Sequence, residues 1–179
     1  MKWFGSSIEH IAFLAYATHS HPPTHVAREF DLTPFRSDFF WVCLDDTAEP
    51  VVCAVELEGA LADTLFRKKS NRAEPYYGAK FLDGFSQLVD WCSFGRSAAE
   101  SSYKISSLFP DNSIPVYEYC LIAGLSSFAV DQSLKKRLNW WNQHIKLGNG
   151  TKTFTFDGLL AQGKKNINSL QKMRPLLPS

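Results

Sequence analysis

Three carboxylates stand at the ends of two apolar runs. Asp38 lies near the start of Ser37-Asp-Phe-Phe-Trp-Val-Cys-Leu44, and Glu56 and Glu58 close Val51-Val-Cys-Ala-Val-Glu-Leu-Glu58. Between them lies Asp45-Asp-Thr-Ala-Glu-Pro50, polar and turn-rich, so the two runs read as a β-hairpin. Residues two apart on a strand share a face, which points Glu56 and Glu58 together. A symmetric register sets Asp38 opposite Leu57, so bringing all three acids onto one face requires a bulge or a one-residue offset. Carboxylates held that close either retain protons or require a cation. A hard divalent ion such as Mg2+ is bound by carboxylate oxygens and water and can turn bound water into a nucleophile. The chemistry such a cluster fits is phosphodiester hydrolysis. Read as ordinary strand ends, the same residues are solvated acids, with Glu56 alternating outward.

The elements that must position these acids follow from periodicity. Ser6 or Ser7 caps a first helix to about Thr18, with Glu9 in its first turn. Strands are expected over 25–32, 38–44 and 51–58, and the unbroken apolar run Phe39–Leu44 implies a strand covered on both faces. Residues 60–72 read as a loop or broken helix. A helix from about Tyr76 or Tyr77 to Cys92 places Phe81, Phe85, Leu88, Val89 and Cys92 at helical spacing. The Ser-rich stretch 95–112 reads as a surface connection. A core strand over 116–124, a helix over 133–145, a strand over 151–156 and a last helix capped by Asp157 complete the chain. Within the helix over 133–145, Trp140-Trp141 could stack bases but reads rather as a core residue beside an interface residue. Meandering strands followed by strand–helix alternation give an α/β fold with a mixed central sheet flanked by helices.

The bulk properties are compatible with this chemistry without demanding it. The 179 residues are expected to form one domain, 1–179, and 45% hydrophobic content excludes a disordered chain. Net charge is +1, with the basic residues clustered in Arg67–Arg72, Lys135–Arg137, Lys164-Lys165, and Lys172 with Arg174. Each cluster could meet phosphates or simply face solvent. The cysteines, Cys43, Cys53, Cys92 and Cys120, are too far apart for a zinc knuckle and read as buried thiols in a reducing, cytoplasmic setting. His19-Ser-His-Pro-Pro-Thr-His25 reads as loop polarity rather than a metal site. No run has the length of a membrane span, so no membrane association is expected.

The order of elements and the motifs Ser37-Asp38-Phe39-Phe40 and Ala54-Val55-Glu56-Leu57-Glu58 resemble the PD-(D/E)XK nuclease superfamily. The Val55-Glu56-Leu57 strand, Phe85-Ser-Gln87-Leu-Val-Asp-Trp91, Tyr119-Cys-Leu-Ile-Ala-Gly124 and Thr153-Phe-Thr-Phe-Asp157-Gly-Leu-Leu160 are further similar to the Shedu family of bacterial antiphage nucleases. The resemblance spans residues 6–172. It implies a restriction-endonuclease-like core and a Mg2+- or Mn2+-dependent DNA endonuclease in antiviral defence. Asp38 and Glu56 would hold the metal, Glu58 would be an extra ligand or general base, and Gln87 would face the centre from its helix. Glu9 matches an acidic position on the first helix. The chain departs from the family where Glu58 stands in place of lysine; Lys68, Lys69 or Lys80 could compensate. Nucleic acid as partner, a homo-oligomer and a regulatory protein chain are also implied. The alternative is a catalytically inactive nuclease fold that binds nucleic acid or a protein partner.

Overall fold

The structure is a computed structural model that describes residues 4–19, 22–32, 35–45, 48–68, 73–109 and 115–172. The expectations for Lys69, Arg72, His21 and Arg174 fall outside the described residues. After a short turn at Phe4–Ser6 come α1 (Ile8–His19), β1 (His25–Leu32), β2 (Phe35–Asp45) and β3 (Ala48–Glu58). Then follow β4 (Phe66–Arg67), β5 (Tyr76–Tyr77), α2 (Ala79–Asp90), one wide turn at Trp91–Gly95, α3 (Arg96–Glu100) and α4 (Tyr103–Ser106). The chain continues with β6 (Val116–Ala123), α5 (Gln132–His144), β7 (Gly150–Phe154) and α6 (Phe156–Lys172).

The main sheet is five-stranded in the order β1-β2-β3-β6-β7. The β1–β2 and β2–β3 pairs are antiparallel, whereas β3–β6 and β6–β7 are parallel. The expected mixed sheet flanked by helices is therefore the fold. Side-chain alternation divides the core. Phe40, Val42, Val52, Ala54, Tyr119 and Leu121 face one layer, formed by Phe81 and Leu88 of α2, Ala99 of α3, Ile105 of α4 and Trp141 of α5. Phe39, Trp41, Cys53, Val55, Leu57, Cys120 and Ile122 face the other layer, formed by Ile11, Leu14 and Ala15 of α1 and Leu159 of α6. Both crossovers between parallel strands run through the first layer. This is what two right-handed connections stepping in one direction across a sheet require.

Two expectations are corrected. Segment 95–112 is not a plain surface connection: α3 and α4 bury Ala99 and Ile105, and its serines occupy the outer face. Within 60–72, Phe66 and Arg67 pair with Tyr76 and Tyr77 as a small second sheet. The strand lies under α5, where Arg137 covers Phe66 and Tyr77 at 5.2 and 4.8 Å from their ring centres. Of the tandem tryptophans, Trp141 is the expected core residue, buried among Tyr77, Phe81 and Phe85, and Trp140 is exposed beside His144.

Candidate functional site

The register of the hairpin sets the acids. Phe39 pairs with Val55, Phe40 with Ala54 and Cys43 with Val51, and the register shifts between Cys43 and Asp45. That irregularity supplies the one-residue offset which a symmetric hairpin lacks. Continued by one step, the pairing sets Asp38 level with Glu56 rather than Leu57. Asp38 then falls in phase with Phe40 and Val42, and Glu56 and Glu58 with Val52 and Ala54. All three acids share the sheet face that α2 covers, at the carboxyl end of β3. Ligands of open α/β sheets bind in the crevice outside the carboxyl ends of parallel strands.

Each carboxylate has a different environment. Asp38 Oδ2 accepts a hydrogen bond from the Leu57 N–H at 2.8 Å, and so ties the end of β2 to β3. Glu56 is 3% exposed, and its Oε1 has no hydrogen-bond partner. Burial, reinforced by the charges of Asp38 and Glu58, raises its pKa to about 8. Glu58 is half-buried and lies against α2. A Cβ built on Gly84 would stand 2.6 Å from Glu58 Cγ and 3.4 Å from its Oε1, so the side chain passes where only glycine leaves room. Burial raises the pKa of Glu58, the Lys80 ammonium offsets part of that rise, and Asp83 and Asp38 add to it.

Among the described residues, no group of three or more His, Cys, Asp or Glu side chains is arranged to hold a metal ion. The donor chemistry nevertheless suits a hard divalent cation: carboxylate oxygens only, one of them buried and unpartnered. What is present is a set of oxygen donors on one face, with Glu58 drawn toward α2 and one Asp38 oxygen engaged by the backbone.

The remaining sequence candidates are dispersed. Gln87 is exposed, one turn beyond Asp83 on α2, and by helical spacing lies on the flank that carries Lys80 and Asp83. Glu9 is not part of the cluster. It is exposed on α1, which covers the opposite sheet face, and the Ser7 hydroxyl holds its carboxyl below the usual range. Arg137 is committed to the fold, donating to the Pro75 carbonyl. Lys164 and Lys165 are exposed on α6, across the sheet from the acids. None of the cysteines is in a disulfide; Cys43, Cys53 and Cys120 are buried, as expected of apolar strand residues.

A second polar cluster was not expected. His19 Nε2 lies 2.7 Å from Glu118 Oε2, and Lys152 Nζ lies 2.8 Å from the same oxygen. The Trp41 indole N–H donates to His19 Nδ1 at 3.2 Å. An indole N–H can only donate, so Nδ1 accepts and the Nε2 proton goes to Glu118. The His19 hydrogen bond, and against the burial penalty also the Lys152 ammonium, hold the Glu118 carboxyl at about 2. Ninety-nine positions separate the two partners, and the only sequence signal was the charged Glu118 within an otherwise apolar strand.

No protein-family model matches the chain, and no curated protein is significantly similar to it.

Proposed function

We propose that this chain is a Mg2+- or Mn2+-dependent endonuclease of the PD-(D/E)XK type, similar to the Shedu antiphage nucleases, acting on DNA in the bacterial cytoplasm. One observation carries the reading: Asp38, Glu56 and Glu58 share one sheet face at the carboxyl end of β3, with a Glu56 oxygen buried and unpartnered. A pair of strand-borne acids so placed is what the superfamily resemblance calls for, and the mixed sheet agrees with its core. That no helix among the described residues is long and apolar enough to cross a membrane is compatible with this setting.

In this reading Asp38 and Glu56 hold the cation, and Glu58 is a further ligand or the general base. The chemistry a bound divalent cation supplies is activation of water and neutralisation of phosphate charge. Glu56 must give up its proton to act as a ligand. Gln87 lines the rim from α2. Two such sites, from a homo-oligomer, would cut both strands, and a second protein chain would control them.

The test is cleavage of supercoiled, linear and single-stranded DNA and of RNA with Mg2+ or Mn2+. DNA cleavage that is lost in Glu56→Ala and Asp38→Asn, both still folded by circular dichroism, is the expected result. The absence of a three-ligand group in the described residues favours a second reading, a nuclease fold that binds nucleic acid or a protein without cutting it. Intact substrates under all conditions, with oligonucleotide binding retained in Glu56→Ala, would establish that reading instead.

A further inference from the structure

The polar cluster on the α1 side of the sheet takes no part in the proposed chemistry, and one of its members can exist in two charge states. His19 is the last residue of α1, and its side chain is 5% exposed. Three groups converge on its ring. Nε2 lies 2.7 Å from Glu118 Oε2 on β6, Nδ1 accepts the Trp41 indole N–H of β2 at 3.2 Å, and Nδ1 also lies 2.7 Å from the Thr18 hydroxyl of its own helix. The Trp41 bond holds only while Nδ1 keeps its lone pair, because an indole N–H donates and never accepts. A proton on Nδ1 therefore breaks it.

That proton has another acceptor at hand. The Thr18 oxygen lies 3.1 Å from the Leu14 carbonyl and 2.9 Å from the Ala15 carbonyl, so the hydroxyl can give its hydrogen to either and keep a lone pair for Nδ1–H. Two features favour the imidazolium: the Glu118 carboxylate, and the carboxyl end of α1, where helical carbonyls gather negative charge. Three oppose it: burial, the Lys152 ammonium that shares Glu118 Oε2, and the buried indole N–H left without its acceptor. Histidine ordinarily changes charge between about pH 5 and about pH 8. The groups around the ring do not change charge there. The His19 hydrogen bond and the Lys152 ammonium hold the Glu118 carboxyl at about 2, and burial pushes the Cys43 and Cys120 thiols up to about 11 and about 12 and the Cys53 thiol well above its ordinary value. His25 of β1 and Lys164 and Lys165 of α6, elements that also pack on α1, are exposed.

We propose that His19 is a proton-operated switch in the hold of α1 on the sheet. When neutral, its Nδ1 takes the Trp41 indole N–H and ties the end of α1 to β2. When protonated, Nδ1 becomes a donor, turns to the Thr18 hydroxyl and releases Trp41, while Nε2–H keeps Glu118 of β6 as the polar anchor. The switch is independent of the nuclease reading.

The experiment is an NMR titration of the isotope-labelled full chain from about pH 8 to about pH 5. Two signals are followed: the Trp41 indole N–H, assigned through its contacts with the His19 ring, and the His19 ring nitrogens. The indole proton should move upfield as its hydrogen bond is lost, with the same midpoint as the ring nitrogens. His19→Gln should leave the indole signal flat across the range. Thr18→Val removes the acceptor for Nδ1–H and should lower the midpoint by about one pH unit, the weight of one hydrogen bond to a charged group. A Trp41 signal that stays in place in wild type while the His19 ring titrates would overturn the switch, and so would a ring that keeps one charge state throughout. A midpoint in Thr18→Val equal to that of wild type would overturn the exchange of partners.

Discussion

Glu56 is a carboxyl group with one buried oxygen that finds no partner, beside two other acids. Its pKa of about 8 makes the folded state hold a proton that the unfolded chain releases near its ordinary value. The unfolded state therefore binds fewer protons, and stability falls as pH rises from about 4.5 to about 8. Glu56→Gln keeps the shape and removes that titration, so it should gain of order 2–4 kcal/mol at pH 8 and little at pH 4.5. Urea denaturation at the two pH values measures it, and a variant no more stable than wild type at pH 8 would contradict the raised pKa. Asp38 differs in kind. Beside Glu56 it is a repelling acid, yet its Oδ2 also accepts the Leu57 N–H. Asp38→Ala should cost about 1–2 kcal/mol, because the loss leaves a strand-end donor unpaired. Asp38→Asn, which keeps an acceptor oxygen, should cost less, and equal losses for the two would remove the hydrogen bond from the explanation. The residue types were legible from sequence, but this second role of Asp38 was not, because it depends on a register that the hairpin's length leaves open.

At the scale of elements, β1, α5 and the two central strands lie where periodicity placed them, because apolar alternation and helical spacing are local properties. The hairpin offset was foreseen only as a requirement; the irregularity between Cys43 and Asp45 meets it. Helices α3 and α4 were missed because their serines dominate the local composition, whereas Ala99 and Ile105 are fixed by burial in the core cluster that also holds Phe40 and Tyr117. Gly84 was equally opaque. Within α2 it reads as a weak helix former, and its purpose becomes visible only when Glu58 and Leu121 are seen against it. Gly84→Ala should therefore act against propensity. Alanine favours an isolated helix by about 1 kcal/mol, yet the two contacts below 3.0 Å force Glu58 and Leu121 to move. A lower melting temperature, together with loss of Mn2+ response, is expected; a variant stabilised as a free helix would be shows that Glu58 yields without cost.

Across the whole molecule, two polar centres lie on opposite faces of one sheet and titrate in opposite directions. On the α1 side, Glu118 joins β6 to α1 through His19 and to β7 through Lys152, and Trp41 of β2 fixes the orientation of the imidazole. No sequence window contains this network, since it forms only when the first helix lies across the parallel strands. At the opening of α6, burial opposes the charge on Asp157, but hydrogen bonds from the Ser126 hydroxyl and N–H outweigh it and hold the carboxyl at about 2. Both groups have folded pKa values below their ordinary ones, so their stabilisation is complete above about pH 4.5 and is lost as pH falls toward about 2. Glu56 and Glu58 on the α2 side do the reverse. The two limbs meet near the ordinary carboxylate range, and the stability maximum should fall at about pH 5 rather than at neutrality. Urea midpoints measured from about pH 3 to about pH 9 trace the dome. Glu118→Gln should flatten only the acid limb, by of order 1–3 kcal/mol, and leave the alkaline limb to Glu56. An acid limb of unchanged slope in that variant would mean that Glu118 is not what the acid removes, and would reassign the loss to Asp157.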